Sequence, residues 1–233
     1  MKSYIITLTE NNESTDAASK CIMSSHAHEN DFNIDIFDAT IPEHVDKEME
    51  LYGLKWNWPW DNIQMDIASG ITKQPYLTAN KNKRIACFLS HYRLWKHCVM
   101  ENTPLLILEH DAIFTRKVPV HVLDACKYDI IGLNDPRRAT RKSEIYHDKV
   151  QDADGQFVVQ VPKIDFDQVA QGLAGNSAYY IKPKGAKKLI QLVDEYGAWP
   201  NDAIMCRQLM PGQLGQIRKY CTTIQRMLST TKT

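Results

Sequence analysis

The stretch Leu105-Leu106-Ile107-Leu108-Glu109-His110-Asp111 constrains the fold more than any other part of the chain. An apolar run rises from the turn signal Thr103-Pro104 and stops at an acid, an imidazole and a second acid. An unbroken apolar run between breakers suits a strand covered on both faces, as in a mainly parallel sheet. Open α/β sheets bind ligands beyond the carboxyl ends of such strands. Glu109 and Asp111, separated by a single residue, offer hard oxygen ligands to Mn²⁺ or Mg²⁺, and an ion held there would bridge the phosphates of a nucleotide. His110 adds a nitrogen donor. The competing reading is a solvated acidic turn after a core strand.

The rest of the chain reads as α/β. Tyr4-Ile5-Ile6-Thr7-Leu8 is β-branched and aromatic, Asn11-Asn12-Glu13-Ser14 offers helix caps, and a helix is expected over 17–26. Asn33-Ile34-Asp35-Ile36-Phe37 alternates like a second strand, and strand–helix–strand opens a parallel-sheet fold. No Gly-x-Gly-x-x-Gly follows the first strand, so a dinucleotide-binding reading loses its main support. A short helix is expected from Pro42 to near Gly53. Trp56, Trp58 and Trp60, broken by Pro59, predict an irregular loop. Their indoles would either stack on sugars or bases, or pin the loop to the core. The segment from there to Asn82 carries few signals and reads as a loop. Between Arg84 and Glu101, Ile85, Phe88, Leu89, Tyr92, Trp95 and Val99 recur at helical spacing. On that spacing His91, beside Ser90, is a core residue.

Further along, a helix is expected over 120–127 and a buried strand over 128–133. Arg137 to Lys142 is a basic run that reads as solvated loop. Phe157 to Val161 is a strand, paired as a hairpin with residues upstream of Asp154-Gly155. Gly172 and Gly175 let backbone approach a ligand closely before the strand ending at Ile181. A helix follows over 186–196. Asn201 reads as the N-cap of another helix, with Asp202 in its first turn. No repeat or linker divides the chain, so residues 1–228 form one domain and 229–233 a frayed tail.

Composition excludes several classes. The chain has 28 basic and 28 acidic residues, so no broad positive surface is available to neutralise a nucleic-acid backbone. Its apolar runs are shorter than a transmembrane segment, and Met1 to Leu8 is too short for a signal peptide. The 6 cysteines are scattered, with no Cys-x-x-Cys pair, as expected of reduced thiols in a cytoplasmic protein.

Three segments together resemble glycosyltransferase family 25, the lipooligosaccharide and collagen galactosyltransferase group. They are Arg84-Ile85-Ala86-Cys87-Phe88-Leu89-Ser90-His91-Tyr92-Arg93-Leu94-Trp95; Leu106-Ile107-Leu108-Glu109-His110-Asp111; and Gly175-Asn176-Ser177-Ala178-Tyr179-Tyr180-Ile181 with Lys184-Gly185-Ala186-Lys187-Lys188-Leu189 and Pro200-Asn201-Asp202. Two departures stand out. His110 replaces the middle acid of the usual Leu-Glu-Asp-Asp, and Asn11-Asn12-Glu13 stands where arginines usually follow the first strand.

The resemblance implies a GT-A-like single domain, a mixed and mainly parallel sheet flanked by helices. It implies transfer of a hexose, galactose or glucose, from a UDP-sugar to a glycan or other hydroxyl acceptor, with inversion, in lipopolysaccharide biosynthesis. Glu109, His110 and Asp111 would hold Mn²⁺ or Mg²⁺. Thr7, Leu8, Ser90, His91, Gly175 and Asn176 would border the donor. Asp202 would be the base that takes the acceptor proton, with Asp135 and Asp167 next in line. Two other readings compete: a non-catalytic relative that binds sugar nucleotide or glycan, and a metal-dependent phosphohydrolase.

Overall fold

The computed structural model describes residues 1–76, 78–138, 142–154 and 157–225. In chain order the elements are β1 (Lys2–Thr7), α1 (Asn12–Ala27), β2 (Asp35–Asp38), α2 (Val45–Leu51), β3 (Gln64–Asp66), β4 (Ile71–Lys73), α3 (Lys81–Glu101), β5 (Leu105–Glu109) and β6 (Ala112–Phe114). Then follow α4 (Val120–Ala125), β7 (Ile130–Gly132), α5 (Ser143–Asp152), β8 (Val158–Gln160), β9 (Ala178–Ile181), α6 (Pro183–Tyr196), α7 (Asn201–Ile204), β10 (Leu214–Ile217) and β11 (Thr222–Ile224).

The main sheet has 7 strands in the order β2-β1-β5-β9-β7-β10-β8. β2, β1, β5, β7 and β10 run one way, and β9 and β8 run against them. This is the mixed, mainly parallel sheet expected. Leu105 to Leu108 are fully buried, because β5 is central and helices cover both faces. On one face Tyr179 reaches α3, accepting a hydrogen bond from Trp95 Nε1 at 2.9 Å. On the other, the neighbouring Tyr180 hydroxyl donates to Asp124 in α4.

Local chemistry sets the helix ends. Asn11 Oδ1 accepts from Ser14 N at 2.9 Å and starts α1. Asn80 caps α3 in the same manner, accepting from Asn82 N at 3.0 Å, and Asn102 closes it in the left-handed conformation at φ 47°. The buried face of α3 is Ala86, Phe88, Leu89, Tyr92, Trp95 and Cys98, with Ser90 and His91 buried alongside.

Several expectations change. Asn201 is the first helical residue and Pro200 takes the cap position, because the extended Pro200 presents its carbonyl to Ala203 N and Ile204 N. Residues 143–152 form α5, a helix absent from the sequence reading, and β8 pairs antiparallel with β10 rather than with residues upstream of it. Of the basic run, Arg137 pairs with Asp135 at 2.6 Å, while residues 139–141 lie outside the described residues, as do Gly155 and the expected tail. The segment before Asn82 contains the antiparallel pair β3–β4.

That pair is pinned by the tryptophan loop. Trp58 is buried, donates Nε1 to Gln74 O at 2.7 Å, and packs 5.4 Å from Trp199. Trp56 and Trp60 stack on each other at 5.3 Å. Lys73 is buried against Asp66 at 2.6 Å, and its ammonium sits 4.1 Å from the Trp199 ring centroid. The hairpin cannot lose either partner cheaply, because removing one leaves the other charge buried and unpaired, typically at about 3–5 kcal/mol. Its position matters because the chain leaving β4 carries Tyr76 to Asp202.

Candidate active site

The site forms at the carboxyl end of β5, where β9 begins alongside in the opposite direction. Leu108 pairs with Ala178, and Glu109 N donates to Ser177 O at 2.8 Å. This brings Glu109, Asp111, Gly175, Asn176 and Ser177 together. The first half of α3 faces them, and α7 closes the side through Asp202. Gly172 makes that closure possible: a Cβ there would collide with the Met205 carbonyl and approach Asp202 O to 3.2 Å.

Glu109 is oriented by a buried relay. Its Oε1 lies 3.1 Å from His91 Nε2, and His91 Nδ1 lies 2.8 Å from the Tyr179 hydroxyl. Trp95 donates to that hydroxyl, which leaves the phenol proton for His91 Nδ1 and the Nε2–H for Glu109. Burial works against ionisation of Glu109, but the hydrogen bond from His91 and the charge of Arg84 hold its carboxyl below the usual range. His91 is therefore the buried, satisfied residue its spacing suggested, and its ring nitrogens link Tyr179 to Glu109.

Asp111 is the opposite case. Burial, then the charge of Glu109, pushes its carboxyl up to about 7 against a hydrogen bond from Ser177. Its Oδ1 is buried without a hydrogen-bond partner. Both amide atoms of Asn176 are also buried and unpartnered. Asp202 is the solvent-exposed acid of the group. The surrounding protein mass raises its carboxyl and Glu109 adds to this, while the Tyr76 hydrogen bond and Arg84 oppose it. Tyr76 donates to the carboxylate, 3.2 Å from Oδ1 and 3.1 Å from Oδ2, and the Arg84 guanidinium lies over the Tyr76 ring at 4.4 Å.

Other expected residues stand differently. The His110 ring lies near the Ile6 backbone, and burial lowers its pKa more than Glu109 and that neighbour raise it. Thr7 is fully buried, donates its hydroxyl to Ile5 O, and gives its carbonyl to Ala39 N. Leu8 N donates to Ser14 Oγ. Ser90 is buried, donates to Ala86 O, and accepts from Thr40 N, so its hydroxyl is spent within the fold. Asp135 is taken by Arg137 and Asp167 by Lys163, each at 2.6 Å. The sequence reading passed over Tyr76 and Arg84. No local signal marks Tyr76, and Arg84 stood out only as the first residue of an apolar-faced helix.

A family model described as "Glycosyltransferase family 25 (LPS biosynthesis protein)" matches residues 1–205. The chain belongs to glycosyltransferase family 25. It is a glycosyltransferase by family, which removes the phosphohydrolase reading. Solved structures with a similar course include the galactosyltransferase LgtC in complex with donor and acceptor sugar analogues, at 13% identity and TM-score 0.45, covering 93% of this chain and 73% of that one. Mouse xyloside xylosyltransferase 1 in its apo form is similar at 9% identity and TM-score 0.46, over 91% of this chain and 83% of that one. The glycosyltransferase GlyE of Streptococcus pneumoniae is similar at 12% identity and TM-score 0.40, over 92% and 45%. No curated protein sequence matches the chain. Among the described residues, no helix is long and apolar enough to cross a membrane.

The residues fit a divalent cation. The ligand atoms of Cys87, His91 and Glu109 lie within 4.8 Å of one another. That trio is already satisfied internally: His91 uses both ring nitrogens, and burial keeps the Cys87 thiol protonated, with Glu109 and Asp202 adding to the effect. The unmet demand is at Asp111, whose Oδ1 is buried without a hydrogen-bond partner and whose carboxyl feels the charge of Glu109. Oxygen ligands from Asp111 and Glu109 suit Mn²⁺ or Mg²⁺.

Proposed function

We propose that this family 25 glycosyltransferase moves a hexose, galactose or glucose, from a UDP-sugar to a glycan hydroxyl or other hydroxyl acceptor, with inversion, on the cytoplasmic side. The observation that carries the reading is the gathering of Glu109, Asp111 and Asp202 at the carboxyl edge of the sheet, with an Asp111 oxygen left buried and unpartnered. Three carboxylates would repel a diphosphate unless a cation joined them. A Mn²⁺ or Mg²⁺ ion held by Asp111 and Glu109 would neutralise the charge that builds on the leaving diphosphate.

The chain's own groups do the rest. Asn176 offers an amide donor and acceptor to sugar hydroxyls. Gly175, at φ 84°, turns the backbone there in a conformation that glycine adopts freely. Asp202, exposed and raised, takes the acceptor proton as the acceptor oxygen bonds to the anomeric carbon and the bond to the diphosphate oxygen breaks. UDP leaves with the bonding electrons. The Tyr76 hydroxyl, bridging both Asp202 oxygens, fixes the carboxylate before the acceptor arrives.

The test is a screen of UDP-galactose and UDP-glucose for turnover with Mn²⁺ and with EDTA. The proposal expects Mn²⁺-dependent release of UDP from one of them. Full turnover in EDTA, or turnover only with donors lacking UDP, would overturn it.

A further inference from the structure

We infer that Arg84 binds the diphosphate of the sugar-nucleotide donor. The assignment rests on the donor reading above and deepens it.

The chain beyond β1, Leu8-Thr9-Glu10-Asn11-Asn12-Glu13, carries no arginine or lysine. An anionic donor entering there meets Glu109, Asp111 and Asp202. Arg84 is the cation whose charge acts on both Glu109 and Asp202. It projects from the first turn of α3, a helix fixed by the Asn80 cap and by its buried face.

Its bonding is incomplete. The Arg84 Nε is buried with no hydrogen-bond partner, and the guanidinium rests on the Tyr76 ring instead of pairing with an acid. A guanidinium carries five N–H donors in a fixed fork and stacks well on aromatic faces. Burying such a donor unpaired is costly, and a ligand oxygen removes the cost. Phosphate oxygens match the fork and give charge-assisted hydrogen bonds about twice as strong as neutral ones. Stacking on Tyr76 fixes the plane of the fork, so little side-chain freedom is lost on binding. The same tyrosine holds Asp202 through its hydroxyl, so one ring sets both the proposed base and the phosphate fork.

The experiment is calorimetric titration with UDP and with uridine, both with Mn²⁺ present, on the unaltered chain, Arg84→Gln and Arg84→Lys. Circular dichroism checks that each variant is folded. The expected result is an Arg84→Gln protein that binds UDP at least about tenfold more weakly and binds uridine as before. Arg84→Lys should recover part of the UDP affinity, because the charge returns without the fork. Equal UDP affinity in the unaltered chain and Arg84→Gln overturns the assignment alone. An equal loss for UDP and uridine also overturns it, since that marks a collapsed pocket. Failure of the unaltered chain to prefer UDP over uridine overturns both the assignment and the donor reading.

Discussion

Asp111→Asn should make the metal-free protein more stable above neutral pH while abolishing its response to Mn²⁺. The Asp111 carboxyl rises from 3.8 to about 7 because it is buried beside Glu109. A raised acid keeps its proton in the folded chain over a window where the unfolded chain has lost it. The stability it lends is full below the unfolded value and disappears as pH rises through about 7. The shift sets a ceiling of about 4 kcal/mol, at about 1.4 kcal/mol per unit. Water reaching the cleft reduces this to about 1–2 kcal/mol. For a chain of this length that is about 2–8 °C in melting temperature. Thermal melts in EDTA at about pH 8 should therefore place Asp111→Asn above the parent by that margin, and the gap should narrow steadily as the pH falls toward 3.8, where the two should coincide. Saturating Mn²⁺ should raise the parent alone. If the parent melts as high as the variant at the upper pH without metal, Asp111 is a satisfied carboxylate and the cation argument fails.

Three other outcomes follow from the geometry. His110→Asp should retain or raise Mn²⁺ affinity, since the ring lies near the Ile6 backbone; a loss of about tenfold or more in a titration would make the imidazole a ligand. Asp202→Asn should stay folded, lose at most about 1 kcal/mol from the helix start, bind UDP-sugar, and transfer at least about 100-fold more slowly. Near-normal transfer would remove Asp202 as the base, and failure to bind donor would make it a ligand. Gly172→Ala should push Met205 and the start of α7 away, costing about 1–3 kcal/mol in melts and slowing transfer at saturating donor; unchanged kinetics would show that α7 does not set the geometry of Asp202.

The legible parts of the sequence were those where burial and local chemistry agree. α3 could be read because its apolar residues recur on one face up to Asn102, although it starts at Lys81, after the Asn80 cap, and not at Arg84. β5 could be read because every residue up to Glu109 is buried. α5 escaped because Tyr146 and Val150 are its only buried residues, too few to show a period. β3 and β4 are three residues each, and what holds them, Lys73 on Asp66 and Trp199, joins distant parts of the chain. β8 was given the wrong partner because its true one, β10, lies more than 50 residues away and nothing local marks it.

The candidate site divides in the same way. Glu109, Asp111 and Asp202 were legible because an acid at a strand end or in a helix's first turn has local meaning. Tyr76 meets Asp202 across 126 residues, and only the folded chain shows it. Ser90 and Thr7, expected to border the donor, give their hydroxyls to Ala86 and Ile5, contacts that only the folded chain shows.

The central claim is that Asp111 and Glu109 hold a divalent cation that receives the donor diphosphate. Paramagnetic resonance of Mn²⁺ titrated into the protein with UDP measures this directly, by counting ions removed from the free signal. The account predicts about one bound ion per chain in the parent, tighter with UDP than without, and none at comparable concentration in Asp111→Asn. A parent that leaves the Mn²⁺ signal unchanged, or a variant that binds the ion equally well, would contradict it.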